Sequence, residues 1–236
     1  MKDFEGRVVL VTGACGNLGS AVVTELQDRG AAVVCADAAS LSAGAARGAL
    51  QIGGLDLAQA ADARAAVRAA VDRFGRIDAL VNAIGGFRTG RIGETALDDW
   101  EVLFSINARI ALTTSAAVIP GMTERHYGRI VHVAAAAGLR ASAGVGVYSA
   151  AKSAVLRIAE AVAEEQGSNG IVCNCILPGV IDTPQNRAAT PGADRSAWVT
   201  PASIAKVAAF LASESAGSIT GAAIPVTRRD AGGEVP

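Results

Sequence analysis

The sequence predicts a doubly wound α/β fold, a seven-stranded parallel sheet with helices on both faces. Three observations carry the prediction. Apolar strand-like runs alternate with helical patterns along the whole chain. The strand runs are near-continuously apolar, as in sheets buried on both sides. The first of them runs straight into a glycine-rich turn that opens a helix. Right-handed crossovers between such units place the ligand crevice at the carboxyl ends of the strands.

Taken in order, the first strand, residues 7–12, is built on Val8, Val9, Leu10 and Val11, and the helix after it covers 18–29. Strands follow at 32–36 and 50–53, the first of them holding Val33 and Val34. An alanine-rich helix at 58–74 leads to a strand at 79–82, and a long helix at 98–122 to the strand at 129–134. The helix at 148–166 precedes a strand at 171–176, and the helix at 201–212 precedes the last strand, 222–226. The alanine-rich faces are packing surfaces. No break in composition divides the chain, so residues 1–236 form one domain. Residues 183–200 follow a strand's carboxyl end and show no apolar period, which marks them as a candidate lid. Residues 228–236 look like a loose tail.

Of the 236 residues 51% are hydrophobic and 18% charged, enough apolar surface for a core on both sides of a sheet. The formal net charge of -1 argues against nucleic acid or an anionic membrane surface as partner. The charged start of the chain lacks the apolar core of a signal peptide, and the apolar runs are interrupted before bilayer length. Cys15, Cys35, Cys173 and Cys175 show no metal-ligand spacing and read as reduced thiols, mostly buried, of a cytoplasmic protein. No carboxylate–histidine cluster suggests a metal.

The glycine turn reads Thr12, Gly13, Ala14, Cys15, Gly16, Asn17, Leu18, Gly19. Glycines let the backbone turn sharply and approach a pyrophosphate, whose charge the helix N-terminus meets. With a strand before and a helix after, this is a dinucleotide site on a Rossmann fold. Asp37 ends the second strand, where a carboxylate accepts both hydroxyls of the adenosine ribose and repels a 2′-phosphate. The predicted cofactor is therefore NAD(H) in preference to NADP(H). Arg47 lies in an Ala/Gly-rich stretch and reads as solvated.

Tyr148 and Lys152 stand one helical turn apart on one face. An ammonium close to a phenol favours phenolate, which would make the tyrosine an acid/base usable near neutral pH. Taken alone, this pair is common.

Together these motifs resemble the short-chain dehydrogenase/reductase family over nearly the whole chain. The resemblance rests on the glycine turn, Asp56 and Leu57, Asn82 and Ala83, Asn107 in the long helix, Tyr148 with Lys152, and Pro178 with Gly179. It implies that Tyr148, Lys152 and Asn107 are catalytic, with Asn107 positioning a water in a proton relay. It implies that Asp56 and Leu57 flank the adenine, that Asn82 braces the sheet, and that Ile181 and Thr183 lie by the nicotinamide amide. Lys152 would also hold the nicotinamide ribose. The two long helices would pair across a two-fold axis, making a homo-oligomer, a tetramer or dimer.

One position departs from the family. Ala135 stands where a serine usually hydrogen-bonds the substrate carbonyl, and the missing donor is worth ~2–4 kcal/mol of transition-state stabilisation by analogy with an oxyanion donor. Ser142 lies beyond the strand end in a variable loop. The stretch Ile176, Leu177, Pro178, then Asp182 to Arg187, Pro191, Ala193, Asp194 and Trp198 resembles the dihydropteridine reductase branch, which lacks the serine too. That branch also lacks the usual C-terminal V-D-G-G, replaced here by Pro225, Val226, Thr227 and Arg228. A quinonoid dihydropterin is already activated and has no carbonyl to polarise.

Trp198 serves either to stack on a planar substrate or to anchor the loop on the core. Arg187 is read as fixing the lid, and His126 and His132 as solvent-contacting and structural. Three functions fit: an NADH-linked reductase of an activated ring, an ordinary alcohol/carbonyl dehydrogenase, and a non-catalytic dinucleotide sensor. The sensor would need neither Tyr148 nor Asn107.

Overall fold

The computed structural model describes residues 2–39, 48–94 and 97–227. Arg47 and the segment 228–236 lie outside the described residues, and with them any reading of either.

The sheet consists of β1 (Val8–Thr12), β2 (Ala32–Ala36), β3 (Leu50–Ile52), β4 (Ala79–Asn82), β5 (Gly128–Val133), β6 (Ile171–Pro178) and β7 (Ala223–Val226). All pairs are parallel, in the order β3-β2-β1-β4-β5-β6-β7. The order reverses between β1 and β4, which opens a crevice beyond their carboxyl ends.

Alternation along each strand sorts the core into two layers. Val8 and Leu10 point toward α2 (Ala60–Phe74), α4 (Ile110–Glu124) and α5 (Gly146–Gln166). Val9 and Val11 point toward α1 (Asn17–Asp28) and α7 (Pro201–Ala212). Ala63, Ala66 and Ala70 are the buried face of α2, where small side chains let the helix lie close to the sheet. β7 is an edge strand, which accommodates Pro225.

Most boundaries fall within one or two residues of the sequence expectation, and three findings differ. The helix expected at 98–122 is α3 (Leu97–Leu103), a π-helical turn (Phe104–Arg109) and then α4. Asn107 explains the turn: its side-chain Nδ2 donates to the Leu103 carbonyl at 2.9 Å, the acceptor that an α-helix would give to a backbone amide. The stretch Leu97–Glu124 is also long and apolar enough, at mean hydropathy 1.6, to cross a membrane by length and composition, contrary to the expectation of short apolar runs. In the fold it packs against α2, α5 and the sheet. Third, the lid segment contains a short helix, α6 (Pro184–Ala189). Thr183 caps it by accepting from the Asn186 amide at 3.2 Å, and Pro184 opens it with a fixed φ.

Candidate active site

The glycine turn sits where β1 meets the crevice. Gly13 has φ +67°, and a Cβ on Gly19 would lie 2.0 Å from the Gly13 carbonyl oxygen. Helix α1 can therefore press its N-terminus on the turn only with glycine at both places. Leu18 is buried beneath it, while Cys15 and Asn17 stay exposed. Asp37 reaches back to the turn, its carboxylate accepting from the Cys15 amide at 2.9 Å and the Ala39 amide at 3.1 Å.

Two hollows adjoin along the carboxyl ends of the strands. One, of about 400 Å³, is bordered by Asp37, Asp56, Leu57, Ile84 and Ile106. The other, of about 500 Å³, shares Ile84 and is walled by Ala83, Ala135, Tyr148, Lys152, Pro178 and Ile181 among others. Close backbone approach at the turn, a carboxylate at the end of β2 and this double hollow fit a dinucleotide. Asp37, Asp56 and Leu57 would hold its adenosine end, and the walls around Tyr148 its nicotinamide end.

Asn82 is buried behind the cleft. Thr12 donates to its Oδ1 in a short hydrogen bond, and its Nδ2 reaches Thr114 Oγ1 at 3.3 Å and His132 Nδ1 at 3.4 Å. One side chain thus ties β1, β4, α4 and β5 together. His132 is bonded on its other nitrogen to Ser115 at 3.1 Å, and complete burial pushes its pKa down to about 4, so it is a neutral structural group. His126 lies in the turn after α4 at φ 51°.

Lys152 is buried and donates from Nζ to the Val133 carbonyl at 2.8 Å. Desolvation lowers its pKa to about 8. Its Nζ stands 6.0 Å from the centre of the Tyr148 ring, and burial raises the phenol to about 12. The expected lowering of the tyrosine pKa by the lysine is therefore not seen: desolvation outweighs an ammonium held by another acceptor. Asn107 brackets Gly86, donating to its carbonyl at 3.1 Å and accepting from its amide at 3.2 Å. A Cβ on Gly85 would lie 3.0 Å from both Asn107 Oδ1 and Lys152 Nζ, so the two polar ends converge on that glycine.

Ala135 lines the cleft and presents only a methyl group. Ser142 is exposed and is not among the cleft's lining residues. Trp198 is 6% exposed and also outside that lining, with the Arg195 guanidinium over its ring, so of its two readings the anchoring one matches its place. Arg187 grips Asp182 with two bonds of 2.6 and 2.9 Å, fixing the lid. Thr183 is buried under α6 as its cap rather than lining the cleft. Sequence reasoning missed Phe87, Gly85, Val180 and Asn186 as wall residues. Only their nearness to Asn82 and Pro178 in the chain pointed to them.

A glycine turn at a topological switch point and a tyrosine–lysine pair facing the same cleft define a dinucleotide-dependent oxidoreductase. The family model described as short chain dehydrogenase matches residues 7–194, and the chain belongs to that family. It is 33% identical to (2S)-[(R)-hydroxy(phenyl)methyl]succinyl-CoA dehydrogenase subunit BbsD of Thauera aromatica, over 92% of this chain and 94% of that protein. It is 34% identical to D-threitol dehydrogenase of Mycolicibacterium smegmatis, over 93% of this chain and 92% of that one. The crystal structure of levodione reductase superposes with a TM-score of 0.86 at 28% identity, covering 95% and 97% of the two chains.

Proposed function

We propose that this chain is an NAD(H)-preferring oxidoreductase acting on a small organic carbonyl compound or its alcohol, with Tyr148 as the acid/base. The observation that carries the reading is the meeting of Tyr148 and Lys152 with the β1–β4 crevice in one cleft. Bound there, the nicotinamide supplies or accepts hydride. In reduction the Tyr148 hydroxyl, protonated at neutral pH, donates its proton to the developing alkoxide. The Lys152 ammonium, fixed by the Val133 carbonyl, would hold the nicotinamide ribose. Asn107 and the backbone of Gly86 continue the polar path away from the phenol. Ile181, in the lining around Tyr148, would meet the nicotinamide, and Asp37 would favour NAD(H).

Relatives named as alcohol or hydroxyacyl dehydrogenases support an ordinary dehydrogenase. Ala135 supports a second reading, an activated ring such as a quinonoid dihydropterin, because no side-chain donor from that position polarises a carbonyl. A sensor without turnover would need neither Tyr148 nor Asn107. The proposed state is a cytoplasmic homo-oligomer, tetramer or dimer, supported by four free cysteines and by exposed Leu97, Trp100, Val102 and Leu112 along the helix starting at Leu97. The test is a spectrophotometric screen of NADH oxidation against ketones, aldehydes, quinones and chemically generated quinonoid dihydropterin. Turnover in none of these classes, with NADH bound, refutes the oxidoreductase reading.

A further inference from the structure

The side chains at the substrate end of the cleft are mostly apolar. Its walls are Phe87, Ala135, Ala136, Ala137 and Val180, closing around the Tyr148 ring. Phe87 is 62% exposed and Val180 52%, large apolar surface left uncovered at the mouth of a functional cleft. The Phe87 ring meets the Tyr148 ring edge-on, 4.9 Å between centres at 85°. That contact fixes Phe87 as the wall beside the reacting hydroxyl.

The polar side chains of the lining are few and already committed. Lys152, the one charged residue among them, is 4% exposed and turned to the Val133 carbonyl. The Asn186 amide nitrogen donates to the Ile181 carbonyl at 2.8 Å. Two arginines close to these walls in sequence are paired with acids, Arg88 with Asp99 and Arg187 with Asp182. Ala135 removes the second side-chain donor that a substrate oxygen could use. The Tyr148 hydroxyl is left as the one polar side-chain group of the lining with no hydrogen-bond partner among the described residues.

We propose that this cleft selects uncharged, largely apolar carbonyl compounds, such as aryl or ring ketones, and their alcohols, and rejects carboxylates. The assignment rests on the oxidoreductase reading for the chemistry, but not for the selectivity. A substrate anion entering these walls would lose its water, and the one ammonium of the lining, Lys152, is turned to the Val133 carbonyl; a poorly paired buried charge is strongly disfavoured. An aryl group gains the faces of Phe87 and Val180 at no such cost.

The experiment compares one ketone in two charge states, benzoylformate and its ethyl ester, on the NADH-loaded protein. Binding is read by the change in bound NADH fluorescence, and turnover separately by NADH oxidation. The ester is expected to bind at least about tenfold more tightly than the acid. Phe87→Ala should weaken ester binding by about tenfold with NADH affinity unchanged, and Val180→Arg should narrow or invert the preference. Equal or tighter binding of benzoylformate by the unmodified protein overturns the assignment, as does failure of both compounds to bind. An ester that binds in preference to the acid but is never reduced leaves the selectivity standing and instead removes the oxidoreductase reading for such ketones.

Discussion

The Lys152 ammonium donates to the Val133 carbonyl at 2.8 Å while its nitrogen stands 6.0 Å from the centre of the Tyr148 ring. The lysine is thus turned to another acceptor than the phenol, and burial keeps the phenol protonated at neutral pH. Burial raises both tyrosines, Tyr148 to about 12 and Tyr127 in the same direction. Comparing the spectrophotometric titration of the protein with that of Tyr148→Phe should therefore show no Tyr148 tyrosinate at pH 10, the ordinary value for the phenol. Ionisation of Tyr148 below pH 9 would contradict this arrangement. The same sign governs direction: reduction needs the protonated phenol present at neutral pH, whereas alcohol oxidation needs its base form. Oxidation should climb by about tenfold per pH unit across the neutral range.

Asp37 should decide between the two cofactors. Its carboxylate is placed at the end of β2 by the Cys15 and Ala39 amides. Direct fluorescence titration is expected to give tighter binding of NADH than NADPH. Asp37→Ala removes a hydroxyl acceptor and a repulsive charge together, so the gap should narrow by about tenfold. Tighter NADPH binding by the unmodified protein would refute the preference.

His132 makes stability depend on acid. It is fully buried, bonded to Asn82 and Ser115, and its folded pKa is down to about 4 against an ordinary histidine value of 6.5. A depressed folded pKa means that the unfolded chain takes up the proton first. The contribution is complete above pH 6.5 and is lost as pH falls toward 4. It amounts to about 2–4 kcal/mol. Urea unfolding at pH 7 and pH 4.5 should show this fall, and His132→Gln should flatten it. An unchanged pH slope in the variant would assign the acid sensitivity elsewhere.

Association should run through the long helix beginning at Leu97. Leu97 is 84% exposed, Leu112 54%, and Trp100 and Val102 lie on the same run, an apolar surface that one chain leaves uncovered. Light scattering at micromolar concentration should give a dimer or tetramer. Leu112→Glu should shift it toward monomer, because a charge would be buried in the contact. A monomeric mass for the unmodified chain would refute this.

The parallel sheet was legible because its strands are buried on both faces, so Val8 to Val11 or Ile171 to Ile176 need no alternation to be read. The glycine turn was legible for the same local reason: backbone geometry leaves its mark on neighbouring residues. The π-helical turn at Asn107 left none, since it depends on one side chain competing for the Leu103 carbonyl. Helix α6 could have been found. Thr183 followed by Pro184 repeats the cap of α7, where Thr200 precedes Pro201, but the segment lacks an apolar period. The bond from Asn17 to Gln185 at 2.7 Å, joining the glycine turn to the lid, links residues far apart in sequence and follows no local pattern. Nor could the Lys152 rotamer be read from an i, i+4 spacing, which states that two side chains share a face and not which acceptor each one takes.

The tyrosine separates an enzyme from a binder. Tyr148 lines the cleft with its ring edge-on to Phe87 and with Lys152 one turn further along α5. Tyr148→Phe keeps the ring and loses only the hydroxyl, so folding and NADH affinity should survive while turnover falls by roughly 10²–10⁴-fold, the range for losing a general acid. Lys152→Ala should lower both rate and NADH affinity, since that side chain serves cofactor and proton path alike. Ala135→Ser probes the missing donor from the other direction. A serine there adds a hydrogen bond to a carbonyl oxygen, which should raise kcat/KM for a plain ketone and do little for a ring that arrives already activated. Comparing the two substrates in that one variant therefore distinguishes the two readings of the cleft. If Tyr148→Phe left turnover intact on every substrate found, the phenol would not be the acid, and the mechanism proposed for this cleft would be wrong.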